Sequence, residues 1–257
     1  ADGKGKLSKR KDDVSTNRFW ERGYLPDAMF NYLALQGWSF DGSTELMTRE
    51  EIVERFTIDR VQPSPARWNP DKLRDINGIY IRKLAPQALA QQIAPFLSKA
   101  GLIADPPTAD EQAYVAQLVP LIHERLEELG EAPGLLDFFF RDPQPVQALP
   151  SETPANGPLP YDAATLVPKK FDAAQVHDML RSVHGVLNRQ QDWSPTALET
   201  ELRTLAERLN VKVGPLFSAI RVAITGRTVA PPLFDTLAAL GRERSLARIA
   251  AAAAALE

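Results

Sequence analysis

The sequence predicts a mainly α-helical protein. Helix start and stop signals recur along most of the chain, apolar residues fall at three- and four-residue spacings, and alternating β-type segments are nearly absent.

Pro26 suits a first helical position and Gly37 a stop, so together they bracket a helix over 27–36. Thr48 and Glu51 have capping-box spacing ahead of Ile52, Val53 and Phe56. Asn69-Pro70 opens a helix towards Gly78, and 78–83, with Ile79, Tyr80 and Ile81, is the best strand candidate. Pro86 opens a helix that Gly101 closes. Thr108 and Glu111 repeat the capping box before a long helix to about Leu129, with Gly130 behind it. Prolines then stand at 143, 145, 150, 154, 158, 160 and 168. Proline lacks an N–H and fixes φ, so 142–168 reads as an extended linker or surface excursion. Asp172 caps 173–188, and Ser194-Pro195 opens 195–209, where Leu198, Leu202, Leu205 and Leu209 share one face. Helices over 215–224 and 232–240 follow, each ended by glycine, and an alanine-rich helix starts near Arg242. Trp20, Tyr24, Phe30, Tyr32 and Trp38 read as core, as do Phe138, Phe139 and Phe140.

The 257 residues allow two or three small domains. No cysteine is present, which excludes disulfides, thiolate nucleophiles and cysteine-ligated metals. No apolar run is long enough to span a bilayer, and the expected setting is cytoplasmic with no membrane partner. The first residue is not Met, which suggests a piece of a longer chain. Net charge is −3, partitioned as +3 over 1–100, −9 over 101–168 and +3 over 169–257. That partition permits two RNA-facing surfaces around an acidic middle, although ordinary solvated helix faces produce the same pattern. His123, His177 and His184 have no metal-ligand spacing, so no metal site is expected. A dinucleotide fingerprint and a nucleophile elbow are both missing, and Gly3–Ser8 fails the Walker pattern at Leu7.

What remains is the basic run Lys6-Leu7-Ser8-Lys9-Arg10-Lys11. Its first five residues resemble the KMSKS signature of class I aminoacyl-tRNA synthetases, in the form typical of glutamyl enzymes. Residues 2–39 ("GKGKLSKRKDDVS…ERGYLPDAMFNYLALQGWS"), 56–84 ("IDRVQPSPARWNPDKLRDINGIYIRKL") and 224–249 ("ITGRTVAPPLFDTLAALGRERSLARI") resemble three successive blocks of bacterial-type glutamyl-tRNA synthetases. The chain is therefore identified as similar to the C-terminal part of that family, from the KMSKS loop onward.

The resemblance implies a stem-contact fold followed by two helical anticodon-binding bundle domains. Residues 1–14 would end the catalytic domain, 15–85 form the stem-contact fold, 86–172 the first bundle with its excursion at 142–168, and 173–257 the second. It implies an ATP-dependent glutamate–tRNA ligase as parent, with ATP and Mg as cofactors and tRNA(Glu) as partner. An enzyme of relaxed specificity would take tRNA(Gln) as well. Lys6 and Lys9 would be catalytic, and Lys9 would bind ATP together with Ser8, Lys6, Leu7 and Arg10, Lys6 and Ser8 also shaping the loop. An ammonium there would offset charge building on the phosphate in adenylate formation. The glutamate pocket and most of the nucleotide fold lie upstream in the family, so this stretch alone is expected to be inactive, monomeric and without bound cofactor. Arg125, Arg221, Arg227, Arg242, Arg244 and Arg248 are the candidate tRNA contacts, each weighed against an ordinary solvated arginine. A helical protein-interaction module unrelated to RNA is the competing reading.

Overall fold

The computed structural model describes residues 15–63, 67–150 and 157–257. Among them are twelve α-helices and one two-stranded sheet, so the mainly α expectation holds. The chain forms two compact units, one of 1–96 with 122–132 and one of 97–121 with 133–257.

In the first unit, α1 (Thr16–Arg22) and α2 (Pro26–Ala34) precede α3 (Arg49–Arg55) and α4 (Pro70–Arg82). Pro26 and Pro70 occupy first-turn positions, where the missing N–H costs nothing. Thr48 and Glu51 form the expected capping box. Trp38, Met47 and Ile52 cluster with Phe30, Ala34 and Phe40, while Tyr32, Leu73 and Ile81 are fully buried.

Buried asparagines order the loops between these helices. Asn31 donates Nδ2 to Glu45 O (2.9 Å), and its Oδ1 accepts from Met47 N (3.1 Å) and Tyr80 OH (2.9 Å). Asn77 accepts from Leu25 N (2.8 Å) and donates to Glu127 O (2.6 Å). Each asparagine satisfies backbone groups that would otherwise be orphaned in the core.

Three expectations are corrected. Residues 78–83 are not a strand; they continue α4 to Arg82. Asn69 caps that helix by accepting from Lys72 N, and Leu73, Ile76 and Ile81 are buried along it, so helical periodicity overrides β propensity. Trp20 is not core, being 67% exposed, whereas Tyr24, Tyr32 and Trp38 are buried and Phe30 half-buried. The helix expected to run to Leu129 ends sooner: α6 (Ala109–Ile122) contains Pro120, and His123–Arg125 tightens into a 3-10 turn. Leu129 N donates to Gly23 O (3.2 Å), and a Cβ on Gly130 would meet Arg22 O at 2.7 Å. Gly130 therefore serves a close backbone approach and does not stop a helix.

Helix α5 (Pro86–Lys99) carries Pro95 internally, and α7 (Ala132–Phe140) ends with Phe138 and Phe139 fully buried. In the second unit, α8 (Ala173–Arg189), α9 (Pro195–Arg208), α10 (Val213–Thr225), α11 (Leu233–Leu240) and α12 (Arg242–Ala254) form a bundle. Asp172 and Gln175 make a capping box at α8, and Ser194 caps α9. Leu198, Leu202 and Leu205 are buried as their spacing requires. Six apolar side chains of α8 are buried, each contributing about 1.5–3 kcal/mol relative to exposure. Helix α12 packs along α8, and its buried Ala252 and Ala253 let the backbones approach closely.

Of the two readings of the proline-rich stretch, linker or surface excursion, the described residues fit the excursion. Strands β1 (Pro143–Val146) and β2 (Leu159–Asp162) pair in parallel, with Pro143 opposite Leu159 and Val146 opposite Asp162. A two-stranded sheet has only edges, so prolines that cannot donate are tolerated in it. Pro143, Tyr161, Ala163 and Leu166 are buried, which anchors the excursion to the bundle. Among the described residues no helix is long and apolar enough to cross a membrane.

Candidate nucleic-acid interface

The loop residues singled out for ATP, Lys6, Leu7, Ser8, Lys9 and Arg10, lie outside the described residues. The six candidate arginines are described, and the structure separates them into two kinds.

Arg248, on α12, is 4% exposed. Its Nη1 donates to Ile224 O (2.6 Å) and its Nη2 to Phe138 O (2.7 Å), while Nε and Nη2 donate to Asp142 Oδ1 (3.1 and 2.6 Å). Ile224 and Phe138 stand in the last turns of α10 and α7, where carbonyls have no helical partner. One guanidinium thus caps two helix C-termini, where a cation also complements the helix dipoles. Arg244 donates Nη1 to Phe139 O (2.6 Å) and Nη2 to Asp142 Oδ1 (2.9 Å). Burial pushes the Asp142 carboxyl up, but hydrogen bonds from Arg248 and Arg244 outweigh it and hold the group below its ordinary value.

Arg227, just past α10, donates to Gly134 O and pairs through Nη2 with Asp137 Oδ2 at 2.5 Å. Its guanidinium lies 5.8 Å from the Phe138 ring centroid. Burial raises Asp137, with Arg227 opposing. Arg248, Arg244 and Arg227 therefore hold the α7, α10 and α12 ends together, and much of their hydrogen-bonding capacity is used inside the fold.

The other three are placed differently. Arg125 is exposed on the turn His123–Arg125. Arg242 is exposed at the start of α12 and donates to Asn188 O. Arg221 is half-buried on α10, and its Nε is buried with no hydrogen-bond partner among the described residues.

Sequence reasoning passed over a second set of cations. In the second unit Lys169, Lys170, Arg181, Arg189 and Lys212 are exposed and make no ion pair among the described residues. In the first unit exposed Arg60 and half-buried Arg55 lie 5.9 and 4.6 Å from the Phe40 centroid, whereas Arg49, 4.7 Å from that of Phe30, is paired with Asp27 and is not left over. Arg67 is exposed nearby in sequence. Unpaired exposed cations are the groups able to exchange counterions for phosphates. No motif marks them; only the structure shows which basic residues are left over after ion pairing. The Arg22, Arg74, Glu127, Glu128 and Glu131 network also went unread, and it is structural. Glu128, 7% exposed, accepts from Arg22 Nε (2.9 Å) and Tyr24 OH (3.0 Å). Among the described residues no group of His, Cys, Asp or Glu could hold a metal ion.

Comparison with known proteins gives this geometry a context. Residues 88–253 match the anticodon binding domain family, and residues 1–75 match the catalytic domain family of class I tRNA synthetases for E and Q. Glutamate–tRNA ligase of Chloroflexus aurantiacus is 64% identical over 256 residues, covering 100% of this chain and 48% of that protein. The enzyme of Herpetosiphon aurantiacus is 47% identical, with 100% and 48% coverage. The chain thus spans about half the length of the curated relatives it matches. A crystal structure of a glutamate tRNA ligase from Elizabethkingia meningosepticum superposes with TM-score 0.78 at 20% identity, covering 100% of this chain and 50% of that one. At that identity the likeness speaks for the fold.

Proposed function

Because the chain belongs to the glutamate–tRNA ligase family, we propose that it is the tRNA-gripping part of an enzyme that attaches glutamate to tRNA through a glutamyl-adenylate. The observation that carries this reading is identity of 64% along the whole chain to half of such a ligase, with an anticodon binding domain match over 88–253. Residues 15–85 are proposed as the stem-contact fold, with 86–172 and 173–257 as two helical anticodon-binding domains. The exposed cations of both units supply phosphate contacts, and unpaired anticodon bases offer edges for hydrogen bonding. Arg125, Arg221 and Arg242 remain the proposed contacts from the original six. Arg227, Arg244 and Arg248 act mainly by holding the helix ends that present them.

The cognate RNA in this reading is tRNA(Glu), with charging of tRNA(Gln) decided by an assay with both RNAs, and the working state is a cytoplasmic monomer. ATP and Mg serve the complete active site, to which Lys6 and Lys9 would contribute. Lys9 would hold ATP together with Ser8, Lys6, Leu7 and Arg10. Acting alone, the 257 residues are proposed not to catalyse ATP–pyrophosphate exchange, and a rate matching a complete ligase would refute this.

Titration with tRNA at two salt concentrations tests the main reading. Neutralising about six phosphates predicts a roughly 10³-fold loss of affinity between about 50 and 200 mM salt. A well-folded chain that ignores tRNA at the lower concentration would overturn it.

A further inference from the structure

The network around Glu128 holds the fold, and it also sets where one exposed cation stands. Arg125 lies on the turn His123–Arg125, between Ile122 and Leu126, which are both fully buried. By sequence this turn falls inside 88–253, the stretch matched to the anticodon binding domain family. By packing it falls inside the first unit, which takes in 122–132. Its anchors come from α4 and from the end of α1. His123 Nε2 lies 3.4 Å from Ile81 O, Asn77 donates Nδ2 to Glu127 O (2.6 Å), and Leu129 N donates to Gly23 O (3.2 Å). Three positions after Arg125, the Glu128 carboxylate accepts from Arg22 Nε (2.9 Å), Arg22 Nη2 (2.5 Å) and Tyr24 OH (3.0 Å). Arg74 pairs with the flanking Glu127 (2.5 Å) and with Glu131.

A buried carboxylate is a costly way to hold a turn. Desolvation offsets most of its attraction to a guanidinium, and an apolar side chain of similar volume serves stability as well. What a two-pronged guanidinium and a phenol add is direction. Together they accept one placement of the carboxylate, and so one placement of the backbone that bears it. A cation on a backbone already fixed loses less freedom when it meets a ligand. We propose that Glu128 is a positioning residue for RNA binding: through Arg22 and Tyr24 it fixes the turn from which Arg125 reaches RNA. This rests on the proposed function, because it takes Arg125 as an RNA contact. It makes an anionic side chain an aid to binding a polyanion, the reverse of what its charge alone dictates.

The test is a double-mutant cycle, read by titrating the 257-residue chain with a tRNA(Glu) transcript at about 100 mM salt. Arg125→Ala is expected to weaken binding about fivefold. Glu128→Gln removes a negative charge, so electrostatics alone gives equal or tighter binding, whereas positioning gives a loss of about threefold. In the double variant the loss should stay at about fivefold, because Glu128 acts through Arg125; two independent losses would multiply to about fifteenfold. Tyr24→Phe keeps every charge and removes one hydrogen bond to Glu128, so it should show a smaller loss of the same non-additive kind. That variant carries the test if circular dichroism shows Glu128→Gln unfolded. Equal or tighter binding by a folded Glu128→Gln would overturn the proposal. So would losses that multiply in the double variant, or an Arg125→Ala chain that binds as the parent does. Each of these leaves the RNA reading standing, whereas a folded parent chain that ignores tRNA sinks that reading and the positioning role together.

Discussion

Replacing Arg248 by Met tests whether a basic residue of the proposed RNA-binding region is spent on the fold. Met keeps most of the apolar volume and removes the guanidinium. Ile224 O and Phe138 O then lose buried donors, and each orphaned acceptor costs about 1–3 kcal/mol. Asp142, whose side chain is 67% exposed, rehydrates, so losing its ion pair adds no more than about 1 kcal/mol. The expected loss is about 4 kcal/mol. At a slope of roughly 2 kcal/mol per molar urea, the midpoint should fall by about 2 M with the slope unchanged. Urea titration followed by far-ultraviolet circular dichroism measures it. Arg248→Lys should fall between the two, because one ammonium cannot span the three acceptors. A pH series adds a signed check. Asp142 is held below its ordinary value, so its contribution is complete above the unfolded carboxylate value of about 3.9 and is lost as pH falls through the folded value. The gap between parent and variant should therefore narrow only below about pH 4. A midpoint shift under about 0.5 M urea would refute the capping role, because it would mean that the two carbonyls find water at almost no cost.

Other predictions follow from the same structure. Gly23 has φ +89 and a Cβ there would lie 2.5 Å from Leu129 Cβ, so Gly23→Ala should cost well over the roughly 1–2 kcal/mol of a left-handed residue; Gly42→Ala, at φ +84 with nothing within 4 Å, should cost only that amount, both measured by urea titration. Asn77→Ala should destabilise by about 2–4 kcal/mol and speed exchange of the Leu25 amide, which loses its acceptor. Lys169→Glu and Lys212→Glu should leave stability unchanged yet weaken tRNA binding, each lowering the salt slope by about 1; an unaltered slope would remove those residues from the interface.

Legibility in the sequence followed the range of the interaction. The capping box at Thr48, the cap at Asp172, the first-turn prolines 26 and 70, and the buried stripe Leu198, Leu202, Leu205 all depend on neighbours within a turn, and all were readable. Failures came where a distant partner decided. Residues 78–83 carry β-branched side chains, yet the cap at Asn69 and burial along α4 keep them helical. The prolines of 143–168 let no α-helix run through that stretch, but burial of Tyr161 and Leu166 packs residues 159–166 against the bundle. Trp20 looks like core by composition and stands in solvent.

The candidate interface divides the same way. By itself the sequence determined a mainly helical chain, its family through three ordered blocks, and the set of basic residues from which the proposed RNA contacts are drawn. Composition and spacing are local properties, and a linear string carries them in full. Tertiary structure alone decided how those cations divide. Arg248, Arg244 and Arg227 reach partners in and just past α7 that lie ninety or more residues away in sequence, and Arg248 also reaches Ile224 O, 24 residues away, while Lys169, Arg181 and Lys212 remain in water. A guanidinium has the same charge in both places. Its role depends on which carbonyls and carboxylates the fold brings within 3 Å, and long-range packing sets that distance.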